Sequence, residues 1–506
     1  MINIKTNQTI ELVEEDAKSA LNIDAPNKPL FDIVRSGLAQ YKHLENGYND
    51  FKMESLLPYK QSVNGPQLRI VDKDNIFISS SADSPSAVYD LSNNSSQEFS
   101  TPSSEIVDAL FFDLEGDGDK DVYLVAGGNE NEANSQSYTD QVWLNVAGTY
   151  TKDNTQGVLN PGTSGKTGLV IDYDKDDDED LIVCNRIVPK QYPQHAGSII
   201  LANEGGLLKD VSQEVAASLK DFGIINDIQA LDFNADGWMD FMVVGEWTGI
   251  GLFQNNNGKF EDVSQSYGLD KNLGWWFSIS PTDINADGKQ DYIIGNLGLN
   301  SKYKATKEKP LSIYGYDFDQ NGSYDQVLSY TYKGKEVPFR GRQCSSEQMP
   351  FIAEKFESYE SFANATLKDV YGEELAKATQ KKATDFSSIA LISKDGGFEI
   401  QSLPIEAQFH PILDGVSIDL NKDGFEDLIL VGNIYETEVE TPRLDYANAT
   451  VLLSNGKGYE FSSSLSNQLK INGNAKSVEL VTDAQNNRKL LIGVNGVGIL
   501  EIEINN

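Results

Sequence analysis

Apolar residues in this chain come in short runs, and the runs come in pairs. Six times a stretch of apolar or alternating residues (ALFF, LVI, IQAL, FSIS, SIYGY, GVSI) leads into a polar window of nine, and a second run (VYLV, LIV, FMVV, YIIG, QVLSY, LILVG) follows. Runs of this length between turn-forming residues read as β-strands, so each polar window joins two strands. Further strands are expected after most pairs, at QVWLN, SIILAN, IGLFQN and TVLLSN, with turn signals such as NNNGKF, SNGKGY and SKDGGF. Three or four short strands per unit, repeated along a chain, is the pattern of propeller blades. The expected fold is therefore all-β, a seven-bladed β-propeller with eight blades as the alternative.

Two of the spacings between windows are irregular. The one at Asp317 lies 34 residues after that at Asp283 and 102 before that at Asp419, which places it inside an enlarged fifth blade. Degenerate versions near Asp72 (VDKDNIFIS) and Asp483 (VTDAQNNRKLLIG) add a blade at each end. Between about 346 and 382, Phe362, Leu367, Val370 and Tyr371 recur at helical spacing, predicting a helical insertion on the rim. Residues 1–45 read as a partly helical lead-in, and 46–506 as the propeller.

The nine-residue windows carry the chemistry. They are DLEGDGDKD, DYDKDDDED, DFNADGWMD, DINADGKQD, DFDQNGSYD and DLNKDGFED, and they hold 25 of the 77 acidic residues. Calcium takes six to eight oxygens, and a turn of this length can supply side chains from positions 1, 3, 5 and 9 with a backbone carbonyl from position 7. The predicted ligands are Asp113, Glu115, Asp117, Asp119 and Asp121 in the first window, and Asp172, Asp174, Asp176, Asp178 and Asp180 in the second. Asp232, Asn234, Asp236, Trp238 and Asp240 form the third set, and Asp283, Asn285, Asp287, Lys289 and Asp291 the fourth. Asp317, Asp319, Asn321, Ser323 and Asp325 form the fifth, and Asp419, Asn421, Asp423, Phe425 and Asp427 the sixth. Glycine at position 6 permits the sharp bend, except in the second window, where Asp177 stands there. An EF-hand would need a glutamate at position 12 between two helices, but Leu124, Val183, Val243, Ile294, Leu328 and Leu430 occupy it, with strands on both sides. Five to six calcium ions are expected. Magnesium is the weaker alternative, because it keeps its waters.

Composition narrows the partners. A formal charge of −36 disfavours nucleic acid. No apolar stretch is long enough to span a membrane. Two cysteines, Cys184 and Cys344, allow at most one bridge, and Cys184 sits in an apolar run that suits a buried thiol. The three histidines, His43, His195 and His410, fit no metal-ligand or catalytic spacing, and no nucleophile elbow appears.

The windows and their flanks resemble FG-GAP/VCBS repeats. GGNE at 127–130, GEWTGIGLF at 245–253, the run GWWFSISPTDINADGKQDYIIGNLGLNSKYKA, YESFANATL, EAQFHP and GNIYETEVETPRLDYA are similar to the C-terminal half of large VCBS-repeat proteins of Bacteroidota. In those proteins an ASPIC/UnbV segment precedes this half, and its tail resembles residues 3–12. The resemblance implies a part of a longer secreted or lipid-anchored protein, located outside the cell or on the outer membrane. With the calcium windows and the absence of catalytic spacings, the expected function is a calcium-stabilised module that binds protein or glycan and is not an enzyme. A lyase-type carbohydrate-active enzyme and a subunit of an outer-membrane nutrient-uptake complex are the alternatives. A ligand site is expected where the chain leaves the generic repeat: Trp247, Trp275, Trp276, Lys302, Tyr303, Arg340, Arg342, Tyr435, Glu438 and Arg443. Exposed aromatics with paired Arg and Glu suit sugar or protein recognition.

Overall fold

The computed structural model describes residues 29–505 apart from 35–37, 39–40, 83, 94, 102–103, 158, 161 and 483–486. Among the described residues the chain forms eight four-stranded antiparallel sheets, one of them with a short fifth strand. Seven follow one another as simple meanders, beginning with Leu68–Ile70, Glu105–Phe112, Ser164–Ile171, Ile224–Leu231, Ser278–Thr282, Asp414–Ile418 and Asn474–Thr482. These seven first strands pack side by side in a closed circuit, the last against the first.

The core sits between the sheets. The alternating apolar positions of one sheet face those of the next, producing seven hydrophobic clusters in sequence round the circuit. Val107, Leu110 and Phe112 of the second sheet meet Leu181, Val183 and Leu201 of the third. Leu68, Ile76 and Ile78 of the first meet Leu491 of the seventh, which closes the ring. Sheets radiating from a common axis in this way are the arrangement of a β-propeller. The seventh sheet is completed by Phe31–Val34, which pairs antiparallel with Gly498–Ile504. The ring therefore begins before residue 46, and 31–34 is strand and not helical lead-in. Residues 1–28, with the ASPIC/UnbV-like tail, lie outside the described residues.

Two further expectations change. The Asp317 hairpin does not belong to the fifth sheet. It joins Leu311–Tyr316 to Asp325–Tyr332 in a separate sheet, with Lys335–Pro338 and Thr379–Ala383 at its edges. This unit is inserted between the second and third strands of the fifth sheet, Asp291–Gly295 and Ile389–Lys394. The helical region begins earlier and ends earlier than 346–382. Its helices are Arg342–Gln348, Phe351–Lys355, Tyr359–Ala363 and Leu367–Tyr371, followed by a 3-10 turn at Gly372–Lys377. Ser358 and Thr366 start the last two helices with reciprocal capping boxes, a signal local to the turn that apolar spacing does not carry. Phe362, Leu367, Val370 and Tyr371 do share one buried cluster, together with Met349 and Ile352.

The degenerate window near Asp72 is the turn between Leu68–Ile70 and Asn75–Ile78. That near Asp483 falls on undescribed residues, and its flanks Asn474–Thr482 and Arg488–Asn495 pair antiparallel. Cys184 and Cys344 are both buried free thiols.

Candidate functional site

The six acidic hairpins share one geometry. The position-1 aspartate folds over the turn and accepts backbone N–H bonds from it. Asp232 takes Asp236 N at 3.1 Å and Gly237 N at 2.9 Å, and Asp283, Asp317 and Asp419 repeat the pattern. Two residues in each turn adopt left-handed φ, at positions 4 and 6, as with Ala235 (57°) and Gly237 (83°). The second hairpin fills both with Lys175 and Asp177, and Asp172 there accepts from Lys175 N at 2.7 Å.

Position 9 has a role that reading the windows as metal ligands missed. These aspartates are buried at the start of the second strand, and each joins two backbones. Asp240 accepts from Phe233 N at 3.2 Å and from Asn255 N, at the end of the third strand, at 2.7 Å. Asp121, Asp180, Asp291 and Asp427 do the same. Asp325 replaces the third-strand amide with Gln348 Nε2 at 3.0 Å.

Two of the hairpins gather their carboxylates closely enough to suit a hard divalent cation. Ligand oxygens of Asp172, Asp174 and Asp176 lie within 4.8 Å of one another, as do those of Asp317, Asp319 and Asp325. At position 7, Asp119 Oδ1 and Asp178 Oδ1 are shielded from solvent without a hydrogen-bond donor. Desolvation and the carboxylates of Asp121, Asp117 and Asp119 push Glu115 up to about 7. Desolvation and Asp176 push Asp178 up to about 6. Crowded carboxylates that resist ionisation fit a bound cation, which would relieve the repulsion and prefers their charged form. In the third, fourth and sixth hairpins an asparagine at position 3 donates to the position-5 carboxylate, for instance Asn234 Nδ2 to Asp236 at 2.8 Å.

A second site lies on the axis of the ring. The first strands of all seven sheets line a polar cavity of about 390 Å³. Four of these strands carry a β-bulge near the start, leaving Val107, Lys166, Asn226 and Lys476 unpaired. Bulges re-aim side chains, and Lys166, Asn226 and Lys476 line the cavity. Beyond the bulges, aspartates tie neighbouring sheets together. Asp108 holds Arg69 through Nε at 2.8 Å and Nη2 at 2.7 Å and accepts from Thr167 Oγ1 of the next sheet at 2.8 Å. Asp227 accepts from Ile279 N at 2.7 Å, and Asp414 from Val478 N at 2.9 Å, each one sheet further on. Burial pushes Asp227 up to about 6 and Asp414 up to about 7 in spite of these bonds. Burial, with Asp414 and Asp108 nearby, pushes Glu479 up to about 8. Burial and Arg186 pull Lys166 down to about 8. Sequence reasoning missed these residues, yet there was a signal. Asp108, Thr167, Asp227, Ser278 and Asp414 each stand five residues ahead of a hairpin's first aspartate, inside runs that are otherwise largely apolar.

At one wall of the cavity is a buried network. Arg186 pairs with Glu246, donates to Tyr59 OH at 2.9 Å, and reaches Asn226 Oδ1 through Nε at 3.1 Å. Tyr192 OH donates to Glu246 at 2.7 Å and accepts from Trp247 Nε1 at 2.7 Å.

The ligand residues expected from sequence are otherwise engaged. Trp247, Trp275, Trp276 and Tyr303 are buried, not exposed. Trp275 packs edge-on against Trp247 at 4.8 Å and Phe386 at 5.4 Å, and lies 5.3 Å from Tyr303. With Leu57, Leu311, Leu328 and Ile434 they form the cluster that fastens the inserted sheet to the ring. Trp276 packs separately between the fourth and fifth sheets. The charges pair locally. Arg340 meets Glu438 at 2.6 Å and Lys302 meets it at 2.5 Å. Arg342 donates to Phe356 O at 2.6 Å and stacks over Tyr359, and Arg443 stacks over Tyr435 at 4.3 Å. These side chains brace the insertion and its neighbouring loops and leave no open aromatic platform at the predicted residues.

Comparison with known proteins supports the repeat at one place. The family model described as FG-GAP-like repeat matches residues 232–294, from the Asp232 hairpin through the strand after the Asp283 hairpin. No curated protein sequence matches the chain. Among solved structures, BBS1N in complex with ARL6DN aligns over 93% of this chain and 98% of its own, at 9% identity and a TM-score of 0.39. The V. cholerae biofilm matrix protein Bap1 aligns over 89% of each chain at 11% identity, TM-score 0.38. Saccharomyces cerevisiae Sqt1 aligns over 92% of this chain and 99% of its own at 10% identity, TM-score 0.42.

Proposed function

We propose that this chain is a seven-bladed, calcium-braced propeller of the FG-GAP/VCBS type that serves as a binding or scaffold module and not as an enzyme. It would act outside the cell or at an outer-membrane surface, where calcium is abundant enough for exposed, partly neutral ligand sets. Its ligand is part of a protein or a glycan, received in the axial cavity.

The observation that carries this reading is the cavity itself: a polar space on the axis, half-open to solvent and within the size range of small-ligand pockets. Its aspartates are committed to joining one sheet to the next, which suits a rigid receptor. The calcium loops lie beyond the ends of the same strands, so ions bound there would hold the hairpins that frame the ring and stabilise the folded state by mass action. A carbohydrate-active enzyme remains the second reading, favoured by Tyr59, Arg186 and Lys166 sharing one cavity.

The test has three arms. Melting is followed in calcium and in EGTA. A glycan and peptide array is probed under both conditions. Polysaccharides are assayed for new unsaturated or reducing ends. Calcium-dependent melting with binding and no turnover supports the proposal. A melting curve indifferent to EGTA removes calcium from it. Sustained turnover abolished by Tyr59→Phe replaces it with the enzyme.

A further inference from the structure

Ten charged side chains line the axial cavity, and eight of them have partners. Arg69 and Asp108 hold each other, and Asp227 and Asp414 accept backbone N–H groups. Arg186 is paired with Glu246. Glu436 accepts from Asn474 and faces Lys476 at 3.8 Å, and Lys60 reaches Tyr48 O at 3.4 Å. Lys166 and Glu479 remain. Among the described residues neither has a hydrogen-bond or ion-pair partner, and both are half-buried on the cavity wall.

Both groups face a half-open cavity where water can meet them, and a ligand that displaces that water must replace it with groups of complementary charge. Two unpaired groups of opposite sign in one cavity, too far apart to satisfy each other, describe a receptor for a molecule that carries both complementary charges. Their separation follows from the strands. Lys166 and Lys476 occupy equivalent bulges on the third and seventh sheets, so they mark one level of the axis. Glu479 stands three residues beyond Lys476 on the Asn474–Thr482 strand, about 10 Å further along at ~3.3 Å per residue. At the upper level Lys476 and Arg186 are answered by Glu436 and Glu246, which leaves Lys166 as the unpaired cation. Further along, Arg69 is answered by Asp108, and Glu479, beside Asp414, is the unpaired carboxyl.

Resting on the binding-module reading, we infer that the axial cavity takes an extended zwitterion. Its carboxylate lies at Lys166 and its ammonium at Glu479, the two separated by a chain of roughly six atoms or more. An ω-amino acid or a short peptide has this chemistry. A simple anion would leave Glu479 unanswered, and a simple amine would leave Lys166 so.

The experiment is calorimetric titration of the calcium-loaded chain with 6-aminohexanoate, L-lysine and triglycine, with hexanoate and hexylamine as single-charge controls. At least one zwitterion is expected to bind tenfold or more tightly than either control. Lys166→Met and Glu479→Gln, each close in volume to the residue replaced, are expected to lose at least tenfold for that zwitterion while melting at or above the wild-type temperature. Triglycine binding more tightly than 6-aminohexanoate assigns a peptide, and the reverse assigns an ω-amino acid. The inference is overturned if no zwitterion binds, if hexanoate or hexylamine binds equally well, or if both variants bind as wild type. A protein or glycan hit on the array that both variants retain leaves the binding module standing and removes the zwitterion alone. Without any hit, both readings fall.

Discussion

Asp240 separates two roles that one residue type can play in an acidic hairpin. Replacing it with alanine removes acceptors from Phe233 N–H and Asn255 N–H. The site is buried, so water does not take over. Hydrogen bonds to a charged acceptor contribute about 1.5–3 kcal/mol each, so Asp240→Ala should destabilise by about 3–6 kcal/mol. Unfolding entropy of ~2.1 cal/mol/K per residue gives on the order of 1 kcal/mol/K for a chain this long, so melting should fall by about 3–6 °C. The reference variant is Asp236→Asn. It keeps an oxygen for Trp238 N–H, bonded at 2.8 Å, and loses its charge and the acceptor for Asn234 Nδ2, both at an exposed position. Differential scanning calorimetry in calcium and in EGTA distinguishes them. Asp240→Ala should be lowered under both conditions, and Asp236→Asn in calcium alone. If Asp240→Ala melts within 1 °C of wild type in EGTA, the backbone-stapling role of position 9 is refuted, and metal ligation alone accounts for the residue.

In EGTA, melting should be lower at pH 8 than at pH 5. Asp140, Asp414 and Glu54 are pushed up to about 7 by burial, so the folded chain binds more protons than the unfolded one, and stability is lost as pH rises through that value. Equal melting at the two values would contradict this. Equilibrium dialysis should find five to six calcium ions per chain, and Asp176→Ala should release one. Trp275→Ala should destabilise by about 3–5 kcal/mol, and limited proteolysis should then cut first within the inserted sheet, between residues 303 and 389. Glu438→Ala, which strands buried Arg340 with a weaker partner, should destabilise by about 3–5 kcal/mol in urea unfolding.

The strands and hairpins were legible because a half-buried strand and a tight acidic turn each leave a periodic record in the residues they need. The separate inserted sheet was not. Leu311–Tyr316 and Asp325–Tyr332 look like any other strand pair, and only long-range pairing with Thr379–Ala383 shows that they have left the fifth sheet. The tryptophans misled for a related reason. Trp247 and Trp275 depart from the repeat because they pack the insertion onto the ring, and a residue conserving an unusual contact looks, in one dimension, like a residue offering itself to a ligand. The axial cavity is assembled from short stretches of seven strands far apart in the chain, so nothing in local order announces it. The polar residues five places before four of the hairpins, Asp108, Thr167, Asp227 and Asp414, were its trace, visible only once the repeats are stacked.

The pairing of Phe31–Val34 with Gly498–Ile504 bears on biosynthesis. The two partners leave the ribosome about 470 residues apart, which at ~5–20 residues per second is roughly 25–90 s. Until the last strand emerges, the first and seventh sheets present unclosed flanks, and the loop-closure entropy of the whole chain is still outstanding. Circularisation therefore waits for the synthesis of Gly498–Ile504. A nascent chain stalled before Arg488–Asn495 would expose the Leu68, Ile76 and Ile78 face, which Leu491 covers in the closed ring, to chaperones or to a neighbouring copy.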